Sequence, residues 1–205
     1  MSAARRLILC WVLDRESATD DVLQRVAAAM AGGVDWLQVR DRSLEGGELL
    51  AFTDAVRSAA PGARLVVNRR TDVALAVDAA GVHLGFDAVD VGTARKLLGE
   101  EALVGVSCHS AQEVHGADAA SYAQLAPIFS PLSKPADRTP LGLDALRAAS
   151  GGIPVLAQGG IEASNAAACI EAGAEGVAVT GAIGLAADPA AAADALRQAL
   201  DGARS

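Results

Sequence analysis

Eight short apolar runs recur along the chain, each followed by a stretch of helix-compatible composition. The runs Leu7–Leu13, Val34–Arg40, Arg64–Asn68, Gly81–Leu84, Leu103–Ser107, Tyr122–Ile128, Ile153–Gln158 and Gly176–Thr180 predict eight strands. Several are apolar without alternation, as parallel strands covered on both faces require. Between them lie helical segments such as Asp20–Ala31, Glu45–Ala60 and Ser164–Ala172. Ser164 reads as a helix cap, and Gly32-Gly33 and Gly173 read as helix stops. No long linker interrupts the series, and no GxGxxG follows the first run, which disfavours an open dinucleotide-binding sheet. The pattern predicts an α/β fold: a single (β/α)8 TIM barrel over residues 1–205.

Composition narrows the function. The chain is 52% hydrophobic and 3% aromatic, so small aliphatic side chains must fill the core. A net charge of −8 opposes non-specific attraction to nucleic acid or to an anionic membrane. Any anionic ligand must therefore be held by a local basic site. No stretch approaches the roughly 20 apolar residues of a membrane span. Arg5 and Arg6 before Leu7–Leu13 superficially suggest a leader, but the run is short and ends at Asp14-Arg15, so it reads as a first buried strand. Cys10, Cys108 and Cys169 are widely spaced, which points to buried thiols in a reducing compartment and a cytoplasmic protein.

In a barrel of this kind the working groups sit after the strands. The second run ends in Gln38-Val39-Arg40-Asp41-Arg42, with Gln38 and Arg40 on one face. Arg40 and Arg42 can receive an anion together, since guanidinium forks match phosphate oxygens; a surface ion-pair run with Asp41 is the alternative. The third run ends in Asn68-Arg69, adding an amide and a third guanidinium near the mouth, while Asp72 can cap the next helix and pair with an arginine. His83 closes the fourth run, where it can touch ligand or be a satisfied structural histidine. The segment Phe129–Pro140 is long and carries three prolines, which suits a lid with Lys134 reaching a phosphate. The last two runs end in Gln158-Gly159-Gly160-Ile161 and Thr180-Gly181-Ala182-Ile183, where glycines let backbone N–H groups approach an anion. His109 belongs near a helix start and His115 on an exposed helix; no zinc-type cluster or serine–histidine–acid triad emerges from the spacings.

Taken in order, Gln38-Val39-Arg40-Asp41-Arg42, Asn68 with Asp72-Val73-Ala74-Leu75, Gly81-Val82-His83-Leu84-Gly85 and Gly105-Val106-Ser107 resemble the successive motifs of the thiamine phosphate synthase/TenI family. Pro127-Ile128-Phe129, Ser133-Lys134, Gly159-Gly160-Ile161 and Thr180-Gly181-Ala182-Ile183 continue the resemblance over nearly the whole chain. It implies a transferase that joins hydroxymethylpyrimidine pyrophosphate to thiazole phosphate with release of pyrophosphate, and it makes a homodimer an expectation. It also implies that Gln38, Arg40, Arg42, Asn68, Ser107 and Lys134 face the pyrimidine pyrophosphate, with Gly159, Gly160, Thr180 and Gly181 on the thiazole phosphate. The synthase branch holds Mg2+ on two aspartates; here Arg69 stands at one position, and Asp87 approximates the other. The Asn68-Arg69-Arg70-Thr71-Asp72 pattern is closer to TenI proteins, which bind thiazole phosphate and tautomerise it, but the histidine of that branch is Pro127 here. A thiazole tautomerase and a non-catalytic thiazole phosphate binding protein are therefore the alternatives.

Overall fold

The computed structural model describes residues 6–14, 21–130 and 139–203. Eight parallel strands close into a barrel in sequence order: β1 (Ile8–Asp14), β2 (Trp36–Arg40), β3 (Arg64–Asn68), β4 (Gly81–Leu84), β5 (Leu103–Cys108), β6 (Tyr122–Leu125), β7 (Val155–Gln158) and β8 (Gly176–Val179). The helices are α1 (Val22–Ala31), α2 (Gly46–Ala59), α3 (Thr71–Ala76), α4 (Val91–Leu98), α5 (Ala111–His115), α6 (Gly142–Ala149), α7 (Ala163–Glu171), α8 (Gly181–Gly184) and α9 (Pro189–Gly202). The predicted TIM barrel is the observed fold.

The strand ends differ from the apolar runs for local reasons. Hydrophobicity carries through Pro127 and Pro154, but neither has an N–H for a ladder, so β6 stops at Leu125 and β7 starts at Val155. Ser164 does not cap α7. Glu162 does, through a capping box in which Asn165 accepts from the Glu162 N–H, and Ser164 lies in the first turn. Gly32 caps α1, and Gly33 and Gly173 take φ of +101° and +100°, so the expected glycine stops hold.

Strand alternation separates two apolar regions. Leu9, Trp11, Leu37, Val39, Val67, Val82 and Val177 point outward and pack under the helices. Ile8, Cys10, Val12, Trp36, Tyr122, Leu156 and Ala178 fill the interior. Asp35 closes the amino-terminal end: it accepts from the Leu9 N–H (2.9 Å) and from Arg197 of α9 (3.0 Å), and pairs with Arg6 (3.0 Å). Arg197 also donates to the Leu7 carbonyl at 2.8 Å, tying the last helix to the first strand.

The interior ring of Tyr122 needs a hole in the neighbouring strand. Tyr122 lies beside Gly105 in the β5–β6 register and meets Trp36 edge-on at 5.1 Å. A Cβ on Gly105 would stand 2.1–2.5 Å from Cζ, Cε1 and the hydroxyl of Tyr122. Gly105→Ala should therefore destabilise the protein by about 1–3 kcal/mol through overpacking. Urea unfolding measures this loss, and Gly105→Ala/Tyr122→Leu should recover part of it.

Candidate active site at the carboxyl end of the barrel

Above the apolar plug, the inward positions turn polar. Gln38 (β2), Asn68 (β3), His83 (β4), Ser107 (β5), Gln124 (β6) and Gln158 (β7) occupy the carboxyl-terminal ends of their strands. Gln124 donates to Gln38 at 2.6 Å, and Gln38 donates to Asn68 at 3.2 Å, an amide relay across three strands. His83 faces Ser107 Oγ through Nε2 (2.9 Å) and the Tyr122 hydroxyl through Nδ1 (3.3 Å). This layer is the floor of a cavity of about 330 Å³ whose walls carry Arg40, Arg42, Arg69, Phe86, Asp87 and His109.

The arginines are positioned by different devices. Arg40 ends β2 opposite Asp14 in the β1–β2 register, and the two form an ion pair. Asp41 shapes the turn into α2: its Oδ1 accepts from the N–H groups of Ser43 (2.7 Å) and Leu44 (3.0 Å). Arg42 is exposed and has no carboxylate partner among the described residues. Arg69 takes φ of +65°, a left-handed conformation that a side-chain-bearing residue holds only under constraint. The constraint is a hydrogen bond from its N–H to the His83 carbonyl (2.8 Å) and an ion pair from its guanidinium to Asp87 (2.5 Å). Asp72, in the first turn of α3, pairs bidentately with Arg70 (2.6 and 2.8 Å), which holds its carboxyl below the usual carboxylate range.

A second cavity, about 250 Å³, adjoins the first and shares Gln158 with it. It is walled by Gly159, Gly160 and Ile161 after β7 and by Thr180, Gly181 and Ala182 after β8. Gly159 and Gly160 take φ of +93° and +62°, and the segment after β6 packs directly on them. A Cβ on Gly160 would lie 2.3 Å from the Ser130 carbonyl oxygen. Asn165 of α7 donates to the Gly160 carbonyl at 2.9 Å and fixes the turn. None of the described residues lining this cavity titrates.

The sequence-expected residues Gln38, Arg40, Arg42, Asn68, Arg69, His83, Asp87 and Ser107 thus converge on one cavity, and Gly159, Gly160, Thr180 and Gly181 on its neighbour. Lys134, with most of the expected lid, lies outside the described residues. Sequence reasoning missed Gln124, Gln158 and Asp14, although Gln124 is a polar residue inside an apolar run and the other two stand at run ends. His109 precedes α5 and stacks on Phe86 at 4.8 Å, and His115 is exposed. The three cysteines are buried, and desolvation pushes their thiols up, to about 12 for Cys10 and about 11 for Cys108 and Cys169. Among the described residues no helix is long and apolar enough to cross a membrane.

His83 resembles the base of a serine–histidine dyad in distance only. Burial pushes its pKa from 6.5 down to about 3, and its second nitrogen meets a phenol rather than a carboxylate. It is a neutral part of the floor. A depressed histidine pKa means that the unfolded chain binds a proton that the folded chain refuses. Stability attributable to His83 should therefore fall as pH drops from about 6.5 towards about 3, by up to about 1.4 kcal/mol per pH unit. Urea midpoints at about pH 7 and about pH 4.5 should differ less for His83→Gln than for the parent, once other titrations common to both cancel.

Comparison with known proteins identifies the family. Residues 9–183 match the family model described as thiamine monophosphate synthase. The thiamine-phosphate synthase of Moorella thermoacetica is 43% identical over 188 residues, covering 89% of this chain and 90% of that protein. That of Chloroflexus aurantiacus is also 43% identical, over 180 residues, covering 84% and 82%. The solved thiamine phosphate pyrophosphorylase from Pyrococcus furiosus superposes with a TM-score of 0.86 at 29% identity, covering 97% of this chain and 98% of that one. The chain belongs to the thiamine monophosphate synthase family.

Proposed function

We propose that this protein is a thiamine phosphate synthase-type transferase that joins hydroxymethylpyrimidine pyrophosphate to thiazole phosphate. The observation that carries this reading is the pair of cavities meeting at Gln158, one lined by guanidinium groups and one by glycine backbone. A two-substrate condensation needs both. In this reading Gly159, Gly160, Thr180 and Gly181 hold the thiazole phosphate, while Gln38, Asn68, Ser107 and neutral His83 orient the pyrimidine. Arg40, Arg42 and Arg69, with Lys134, stabilise the pyrophosphate as it departs. The C–O bond breaks with its electron pair on the leaving oxygen, and the thiazole nitrogen lone pair captures the pyrimidine-methyl cation. Substrates of this kind and the buried thiols suit a cytoplasmic enzyme.

A divalent metal fits the described residues poorly. Among the described residues Asp87 is the sole carboxylate lining the arginine cavity, and it is engaged by Arg69. No group of three or more histidine, cysteine, aspartate or glutamate side chains among the described residues could hold a metal. Mg2+ is usually held by one or two carboxylates with phosphate oxygens, and a guanidinium beside the remaining carboxylate repels it.

The same Arg69–Asp87 pair favours a second reading, a thiazole phosphate binding protein of the TenI kind. A tautomerase must move a proton, and the described lining of the glycine cavity offers no group to carry it, with Pro127 beside Gly159 where a histidine would be needed. Assaying product with both substrates, with and without EDTA, decides between the readings. The transferase reading expects thiamine phosphate in both conditions, and no turnover in either ends it. Arg69→Ala should weaken pyrophosphate binding in EDTA by roughly 10- to 150-fold, the equivalent of one lost charge-assisted contact of about 1.5–3 kcal/mol. Calorimetry reads that change directly.

A further inference from the structure

We infer that Arg25, on the outside of the barrel, is a positioning residue for the glycine cavity; the inference rests on the reading of that cavity as the thiazole phosphate site. The element concerned is α8, only four residues long. A single helical turn is not stable alone, because fixing its first residues costs more entropy than one or two hydrogen bonds offset. Its own bonds are Gly184 N–H to the Thr180 carbonyl (2.8 Å) and Leu185 N–H to the Gly181 carbonyl (2.9 Å).

Arg25 reaches across from α1 to the far end of that turn. Its Nη2 donates to the carbonyls of Ala186 (2.6 Å) and Gly184 (3.1 Å), and lies 3.4 Å from that of Ile183. These belong to the end of the turn whose carbonyls a helix leaves unbonded, and a cation is the favourable charge there. The opposite end of the same turn gives Thr180, Gly181 and Ala182 to the cavity wall. A guanidinium gripping the back of a one-turn element thus sets the direction of the amides at its front. Trp11 lies beneath the turn without a polar tie to it: among the described residues its buried indole N–H has no hydrogen-bond partner, although a Cβ on Gly184 would stand only 3.6 Å from that nitrogen. The polar tie comes from Arg25, which shares with Trp11, Thr180, Gly181 and Gly184 the lining of a small pocket behind the turn.

The test compares the parent, Arg25→Met and Arg25→Lys by calorimetry with thiazole phosphate, the unphosphorylated thiazole alcohol and inorganic pyrophosphate. Arg25→Met should bind thiazole phosphate about tenfold more weakly, through lost preorganisation. It should bind the alcohol and pyrophosphate like the parent, and Arg25→Lys should fall between. In turnover the change should appear in KM for thiazole phosphate and not in kcat. A purely structural tie would lower the unfolding temperature and leave these affinities alone. Unchanged thiazole phosphate binding in Arg25→Met, or an equal loss for pyrophosphate, overturns the inference. If Arg25→Met does not fold, Arg25→Lys decides: weaker thiazole phosphate binding supports it, and parental binding overturns it. If the parent itself fails to bind thiazole phosphate, the proposed function is lost, and the same variants titrated with inorganic phosphate still judge Arg25.

Discussion

A closed parallel barrel directs every second side chain into a space with little room for water, and the upper part of this barrel fills that space with amides, an imidazole and hydroxyls. Each such group left unbonded would cost about 1–3 kcal/mol, so the layer must satisfy itself. It does so by pairing across strands: Gln124 with Gln38, Gln38 with Asn68, and His83 with both Ser107 and Tyr122. The pairing fixes rotamers that would otherwise be free, and it gives the cavity above a rigid polar floor. Tyr122 belongs to both worlds, its ring in the apolar plug against Trp36 and its hydroxyl in the polar layer, and the absent side chain at Gly105 leaves it that space.

The charge on that floor runs against the rest of the molecule. A chain of net charge −8 concentrates three guanidinium groups at one opening and moderates them with Asp14 and Asp87. Those two acids hold Arg40 and Arg69 in place while leaving an excess of positive charge facing the cavity, because Arg42 has no carboxylate partner among the described residues. Arg69 sits in a left-handed turn where aspartate or asparagine is more at home. Backbone strain of this kind is held in place by the surrounding structure, and here it sets a guanidinium at the mouth of the cavity.

The barrel was legible because eight apolar runs, spaced by helix-length segments, leave few other closures open to a chain of this size. Gln38 was legible through parity, as a polar residue sharing one face of its run with Arg40, and Asn68 through its place at the end of a mostly apolar run, whereas Ser107 came only from the resemblance to the family's motifs. Gln124 and Gln158 carry the same signal, overlooked because the proline-containing runs around them blur where β6 ends and β7 begins. The Glu162–Asn165 cap was obscured by a serine two residues on, which has the right chemistry in the wrong register. Arg25 carried no signal at all. Nothing local marks a half-buried arginine of α1 as one that reaches carbonyls about 160 residues away, as its contacts at sequence separations of 158–161 show.

The grip of Arg197 on the Leu7 carbonyl and on Asp35 bears on how the molecule is made. β1 pairs with β8 as well as with β2, and the amino-terminal seal waits for α9. A growing polypeptide can therefore form early strands and helices on the ribosome, but it holds an open sheet edge until β8 has emerged to pair with β1. Cyclisation of the sheet becomes a late, long-range event, and a chain arrested before α9 would expose its first strand to other chains instead of to its own carboxyl-terminal segment.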